Sequence, residues 1–253
     1  MSADRVALRK DGGVLHLTLN RPDRRNAIDE PMVERLLECV AEADLAHDVR
    51  VVALRGAGTD FCAGADLHEL LASVEKPPED NTASATRLGD VFIRMRELPK
   101  PIVAVVHGRA LAGGCGLAMA CDLVIARSDA TFGYPEVSRG FVPAMVMALL
   151  RRAVGEKTAF DLVATGRTVT AEIALHMGLI SRVVAAEQFE SEVAQLLGGL
   201  AASSPSALAL TKRQLYAIDM MDFPEAIKLG ARVNAVARST PDFRKAVEQF
   251  FKQ

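Results

Sequence analysis

Three short segments of this chain carry residues that could do chemistry. The first is Phe61-Cys62-Ala63-Gly64-Ala65-Asp66-Leu67, which follows the Gly56-Ala57-Gly58 turn and leads into an apolar, helix-compatible run. Small residues at a strand-to-helix junction let a ligand approach the backbone closely. The free N–H groups of a helix's first turn can then point at an oxygen anion. Small residues in such a place also serve as packing devices, and this segment alone does not separate the two readings.

The second segment is Val106-His107-Gly108-Arg109-Ala110-Leu111-Ala112-Gly113-Gly114-Cys115-Gly116-Leu117, again running from a buried strand toward a helix. Two nucleotide motifs fail here. A phosphate-binding G-x-x-x-x-G-K-[ST] loop needs lysine where Gly114 stands. A dinucleotide fingerprint needs G-x-G-x-x-G directly after the strand, and these glycines are spaced differently. What remains is a second set of exposed amides. Two such junctions on neighbouring strands could converge on one carbonyl oxygen. The third segment is Phe132-Gly133-Tyr134-Pro135-Glu136-Val137, just before the apolar run Phe141 to Val146. A Glu in apolar surroundings has a raised pKa and makes a useful proton shuttle. A surface Glu capping the following turn is the alternative reading of Glu136.

The elements that must position these segments follow from the apolar patterning. Val14 to Leu19 alternates as a half-buried strand does and ends at the turn Asn20-Arg21-Pro22-Asp23. A helix pattern starts after Asp29, a suitable N-cap, with Pro31 in its first turn. Val51 to Leu54, Ile102 to Val106 and Leu123 to Ala126 are further strands, and their continuous apolar character predicts burial on both faces. Strand–helix–strand repetition predicts an α/β fold with a parallel sheet. Lys76 to Thr86 is polar and Pro-containing, so it reads as a mobile loop, and as a candidate gate to the site, before a helix from about Arg87 to Glu97. After Pro143 the pattern is helical, with only Ile180 to Val184 strand-like.

Composition bounds the partners. The 253 residues are 50% hydrophobic and 25% charged, as in an ordinary globular domain, so disorder and fibrous repeats are excluded. A net charge of -2 offers no large reservoir for binding a polyanion, and 5% aromatics are too few for a base-stacking platform. Glu34, Glu38, Glu42 and Asp44 against Arg35 make the first helix's exposed face acidic, so no nucleic-acid partner is expected. Cys39, Cys62, Cys115 and Cys121 form no C-x-x-C pair and read as reduced core thiols. The five histidines lack zinc-ligand spacing, so no metal is expected. The longest charge-free apolar run, Ala110 to Cys121, falls short of the ~20 residues that span a bilayer. The opening MSADRVALRK has no apolar signal region. The expectation is a cytoplasmic protein without a membrane partner.

Taken in order, the segments resemble the crotonase superfamily, the enoyl-CoA hydratase/isomerase family. The likeness includes N-R-P-x-x-x-N-A at Asn20 to Ala27, F-C-A-G-A-D-L, A-V-V-H-G-x-A-L-A-G-G-C and Cys121-Asp122-Leu123. It continues through P-E-V at 135–137, T-G-R at Thr165 to Arg167, A-x-x-M-G-L-I at Ala174 to Ile180, and the terminal F-R-K-A-V-E-Q-F-F-K. No single motif is specific, but the ordered set covers essentially the whole chain.

The resemblance implies a crotonase-type spiral of ββα units followed by a C-terminal helical trimerisation region. On this chain that means an acyl-CoA-binding core over 1–195 and an oligomerising region over 196–253. It implies an acyl-CoA thioester substrate used in fatty acid metabolism and a homotrimer or hexamer. No cofactor is implied beyond the coenzyme A that enters with the substrate. It places oxyanion-stabilising amides at Ala65 and Gly113 and an acid–base carboxylate at Glu136. It places CoA contacts at Arg24 and Ala27, at Ala63, Asp66 and Leu67 around the adenine, at Leu111, and at Phe250 with Lys252 nearby. Arg24 and Arg25 would meet phosphate. A basic residue often follows the Leu67 position in the family; here it is His68, a weaker and pH-dependent substitute. Tyr134, Phe141, Met145 and Met147 are candidates for shaping the acyl pocket, or equally for filling core.

One departure is informative. Hydratases of the family usually carry two glutamates, and the second falls on Gly116. Syn hydration uses two carboxylates to hold a water. Moving a double bond from C3 to C2 needs one base. The expectation is therefore Δ3–Δ2 enoyl-CoA isomerisation through Glu136. Single-Glu hydration or a hydratase-like lyase reaction is the alternative, and a non-catalytic CoA- or RNA-binding relative is more remote.

Overall fold

The computed structural model describes residues 4–252. In chain order the elements are β1 (Val6–Asp11), β2 (Val14–Leu19), α1 (Glu30–Leu45), β3 (Val51–Gly56), α2 (Leu67–Ala72), α3 (Pro78–Glu97), β4 (Ile102–Val106), β5 (Arg109–Leu111) and α4 (Gly113–Ala120). Then come β6 (Leu123–Arg127), β7 (Thr131–Gly133), α5 (Val146–Ala153), α6 (Glu156–Thr165), β8 (Thr168–Thr170), α7 (Ala171–His176), β9 (Arg182–Val184) and α8 (Phe189–Ala202). Three helices end the chain: α9 (Pro205–Ala217), α10 (Phe223–Arg238) and α11 (Pro241–Phe250).

The apolar strands assemble into a six-stranded sheet of order β1-β2-β3-β4-β6-β9. Only β1 and β2 pair antiparallel; every later neighbour is parallel. Because side chains alternate along a strand, one set faces each side. Val52, Leu54, Ile102, Ala104, Val106, Val124 and Ala126 join the main core with α1, α3 and α4. Val51, Ala53, Val103, Val105 and Ile125 form a second core under Phe189, Val193 and Leu197 of α8. Both faces are covered, which is why these strands read as unbroken apolar runs.

A second layer makes the spiral. Isolated parallel bridges join Ile28 to Ala65 and Cys62 to Ala110, and the layer continues through β5, β7 and β8. Each turn of the chain therefore lays one strand in the large sheet, one short extended stretch in the second layer, and then a helix. This is the expected ββα repeat.

Several expectations need correction. Lys76 to Thr86 is largely helical, because α3 begins at Pro78 and runs without a break to Glu97. Pro78 at the first position and Glu79 and Asp80 in the first turn suit a helix start. The polar character that reads as a loop reflects a helix half exposed on all sides. Beyond Pro143, β8 joins β9 as a strand. Separately, α8 spans positions 195 and 196 and packs its apolar face on the sheet.

A buried polar cluster fastens α9 to the core. Lys212 Nζ donates to Asp122 Oδ2 at 2.8 Å, to Met95 O at 2.9 Å and to Lys100 O at 3.2 Å. The Tyr216 hydroxyl donates to Asp122 Oδ1 at 2.5 Å, and the Arg96 guanidinium lies 3.7 Å from the Tyr216 ring centroid. Beyond α9, α10 and α11 have no fully buried residue, and Phe223, Ile227, Phe250 and Phe251 stand exposed. No single helix among the described residues is long and apolar enough to cross a membrane.

Candidate active site

Strand register brings the three chemical segments together. Cys62 bridges Ala110, and Ala110 pairs in parallel with Phe132. Ala65 lies three residues past Cys62, Gly113 three past Ala110, and Glu136 four past Phe132. All three therefore leave the carboxyl ends of adjacent extended segments on one side of the layer, where ligands of parallel α/β folds bind.

The two amides are held close and free. A Cβ built on Gly113 would lie 3.9 Å from the Ala65 nitrogen. Gly113 opens α4, so its N–H has no intrahelical acceptor. Ala65 N–H likewise donates to no acceptor among the described residues. Its neighbours are pinned on either side: Ile28 N–H donates to Gly64 O and Asp66 N–H to Ile28 O, each at 2.8 Å. The turn before α4 is strained. Ala112 sits at φ 51, ψ -125, a left-handed conformation that costs a non-glycine residue about 1–3 kcal/mol. Its N–H donates to Gly133 O at 2.8 Å and its carbonyl accepts from Gly116 N–H at 3.0 Å, which holds the turn. Gly64 has φ 96, and a Cβ there would come within 2.8 Å of Ala112 Cβ. The two loops touch because neither side carries more bulk.

Glu136 is in the short 3-10 turn Pro135–Arg139. It is buried, and its Oε2 has no hydrogen-bond partner. Burial raises its pKa above the ordinary value of 4.5; Arg139 offsets this only in part. The capping alternative does not hold, since the side chain faces inward. The fully buried Tyr134 also has an unpartnered hydroxyl, which burial keeps protonated. Sequence patterning shows its aromatic character but not this isolation. Cys62 and Cys115 are fully buried, with thiols pushed up to about 12 by burial, so they are packing groups rather than nucleophiles.

Gly116 is walled in. A Cβ there would lie 2.5 Å from Val146 Cγ1 and 3.0 Å from Phe92 Cζ. The position is thus filled from outside by two side chains that are themselves buried. Ile28 and Leu88 flank Gly113, and Met145 faces Gly89 of α3, so the lining is apolar. Of the other pocket candidates, Phe141 and Met147 are exposed and Met145 is half-buried.

The expected CoA-contact residues largely share one rim. Ala63 N–H donates to Arg25 O, stitching the Arg24–Ala27 segment to Ala63, Asp66 and Leu67, and Leu111 N–H donates to Cys62 O. Arg24, Arg25, Leu67 and His68 are exposed there. The Asp66 carboxylate is already engaged: it caps α2 through His68 N–H at 2.9 Å and accepts from Arg21 Nη2 at 3.0 Å. Burial raises its pKa, but the amide and Arg21 outweigh this and hold it below the usual range. Phe250 stands apart, 75% exposed on α11, which packs on α9 and α10.

Two organising residues escape a reading by chemistry. Asn26 is fully buried; its amide donates to Ala57 O, Asp60 O and Phe61 O, and its oxygen accepts from Arg21 N–H. Arg21 joins Ala27 O, Asp29 and Asp66. The N-R-P-x-x-x-N-A spacing is their only signal. No three His, Cys, Asp or Glu side chains among the described residues come together to hold a metal ion.

Comparison with known proteins bears on the family and the fold. A family model described as Enoyl-CoA hydratase/isomerase matches residues 9–253. A putative enoyl-CoA hydratase of Thermus thermophilus is 40% identical over 242 residues, covering 96% of each chain. A short-chain-enoyl-CoA hydratase of Clostridium acetobutylicum is 32% identical and covers 100% of this chain and 97% of its own. The crystal structure of an enoyl-CoA hydratase from Mycobacterium smegmatis superposes with a TM-score of 0.94 at 33% identity, covering 98% of this chain and 96% of that one.

Proposed function

The chain belongs to the enoyl-CoA hydratase/isomerase family and is an enzyme of that type, and from that premise we propose that it shifts the double bond of a 3-enoyl-CoA to C2. One observation carries this reading: Glu136 is a buried, unpartnered carboxylate, while Gly116, where the family's second glutamate falls, is walled in by Val146 and Phe92.

The thioester oxygen would accept from the Ala65 and Gly113 amides. Donors fixed where negative charge develops are worth about 10²–10³ in rate. Glu136 takes a proton from C2, the electron pair delocalises onto the oxygen and C4, and the same carboxyl returns a proton at C4. Its raised pKa suits it both to take and to return that proton. Only protons move, so coenzyme A enters as part of the substrate and no redox cofactor is required.

A second reading is hydration with a single Glu, and the names of the hydratase relatives favour it. A panel of trans-2- and cis- and trans-3-enoyl-CoAs of varied length, with product analysis, separates the two. The proposed function expects 3-enoyl substrates to yield 2-enoyl products faster than 2-enoyl substrates are hydrated. The reverse order would assign hydration.

The assembly is proposed to be a homotrimer or a dimer of trimers, with α10 and α11 covering their exposed apolar residues against other copies. Sedimentation should give three or six times 27.1 kDa. A monomer at micromolar concentration would count against it.

A further inference from the structure

We infer that Val146 is a specificity-determining residue: from the start of α5 it occupies the space a side chain at position 116 would fill, and so keeps water off that face of the substrate. Val146 Cγ1 lies 2.5 Å from where a Gly116 Cβ would be, and its own Cβ lies 3.4 Å away. This is too close for any side chain at 116 unless Val146 moves. Val146 is buried at the first position of α5 and β-branched, so its χ1 is stiff. Phe92, from α3, closes the other side at 3.0 Å with the far edge of its ring.

The result is a site with one polar wall and one apolar wall. Glu136 presents an unpartnered oxygen from the 135–139 turn. The wall formed by Val146, Phe92 and Gly116 offers neither a hydrogen-bond partner nor room for one. A water poised to attack C3 needs two to four polar partners, and the Val146–Phe92 wall supplies none of them. Hydration, in which hydroxide adds at C3 and a proton at C2, is therefore suppressed by packing as well as by the loss of a carboxylate. Glycine at 116 and valine at 146 form a matched pair, so restoring the carboxylate alone does not restore its place.

This inference rests on the isomerase reading for its direction, and its test stands independently. Hydration of a 2-enoyl-CoA and isomerisation of a 3-enoyl-CoA would be measured for the wild type, Val146→Ala, Gly116→Glu and the double variant. Circular dichroism and acetoacetyl-CoA binding would check folding. Val146→Ala should raise the hydration-to-isomerisation ratio about tenfold, an effect that simple loosening of the fold would not produce. The double variant should hydrate at least tenfold faster than Gly116→Glu alone, or fold where the single variant does not. An unchanged ratio in Val146→Ala, or equal hydration by Gly116→Glu and the double variant, would overturn the assignment. A wild type that binds acetoacetyl-CoA but hydrates better than it isomerises would overturn the functional reading instead, and the comparison of single and double variants would still decide the role of Val146.

Discussion

Glu136 keeps Oε2 without a partner although the residue is buried. The cost falls on the ionised form, so its pKa is raised above 4.5. Two results follow, with opposite signs for activity and stability. As a base Glu136 must be ionised, so kcat/KM should fall with unit slope as the pH drops through a midpoint above 4.5. The folded state, in contrast, favours the protonated form. The stability from that preference is complete below the unfolded pKa and is lost as pH rises through the folded one. Glu136→Gln should therefore lower turnover by roughly 10²–10⁴, while raising neutral-pH stability by about 1 kcal/mol. A melting curve and an acetoacetyl-CoA titration beside the kinetics check both; a Gln variant with full turnover would remove Glu136 from the mechanism. Ala112 stores strain of a different kind. Its φ of 51 and ψ of -125 suit glycine, so Ala112→Gly should leave stability unchanged or raise it by up to about 1 kcal/mol, read by denaturant unfolding. The three segments that hold 65, 113 and 136 were legible because each is a motif, and register sets them side by side. The closure of position 116 was not, because it depends on Val146, 30 positions away in sequence.

At the scale of elements, strands buried on both faces were the most legible part of the fold. Val103 and Val105 face one core while Ile102 and Ala104 face the other, and that demand leaves an unbroken apolar run. The short second-layer strands were hidden for the converse reason. Arg109–Leu111 and Thr131–Gly133 are three residues each, too brief for periodicity to show, and they are held by register with neighbours distant in sequence. The first half of α3 reads as a loop because Pro78 to Arg87 bury no apolar face, and what ties them to the rest is polar, such as Asn81 to Ser73 O and Arg87 to Glu34. A helix without a buried face has little to hold it but its own hydrogen bonds. Amide hydrogen exchange should accordingly be fastest in α3 over residues 78–87 and much slower over 88–97, where Val91, Phe92 and Met95 are buried. Uniform protection along α3 would contradict this account.

Across the whole molecule, the helical end is joined to the spiral by polar contacts that its apolar pattern does not reveal. Lys212 and Asp122 meet at 2.8 Å with side chains 7% and 15% exposed. Burial lowers the Lys212 pKa, and Asp122 opposes that shift. Lys212→Ala would leave Asp122 buried without its cation and should cost about 3–5 kcal/mol. The loss would appear in denaturant unfolding, together with proteolytic release of the last three helices; a loss below about 1 kcal/mol would show that the cluster is incidental. The same pair has a consequence for the timing of synthesis. Asp122 leaves the ribosome 90 residues before Lys212, so at 5–20 residues per second the nascent spiral waits roughly 5–20 s for its cation. In the folded chain Asp122 also accepts from the Ile102 N–H at 2.6 Å, a partner within the spiral that does not depend on α9. The emergence of α9 closes that interval, and a ribosome stalled before position 212 would hold a spiral that is assembled but not yet locked.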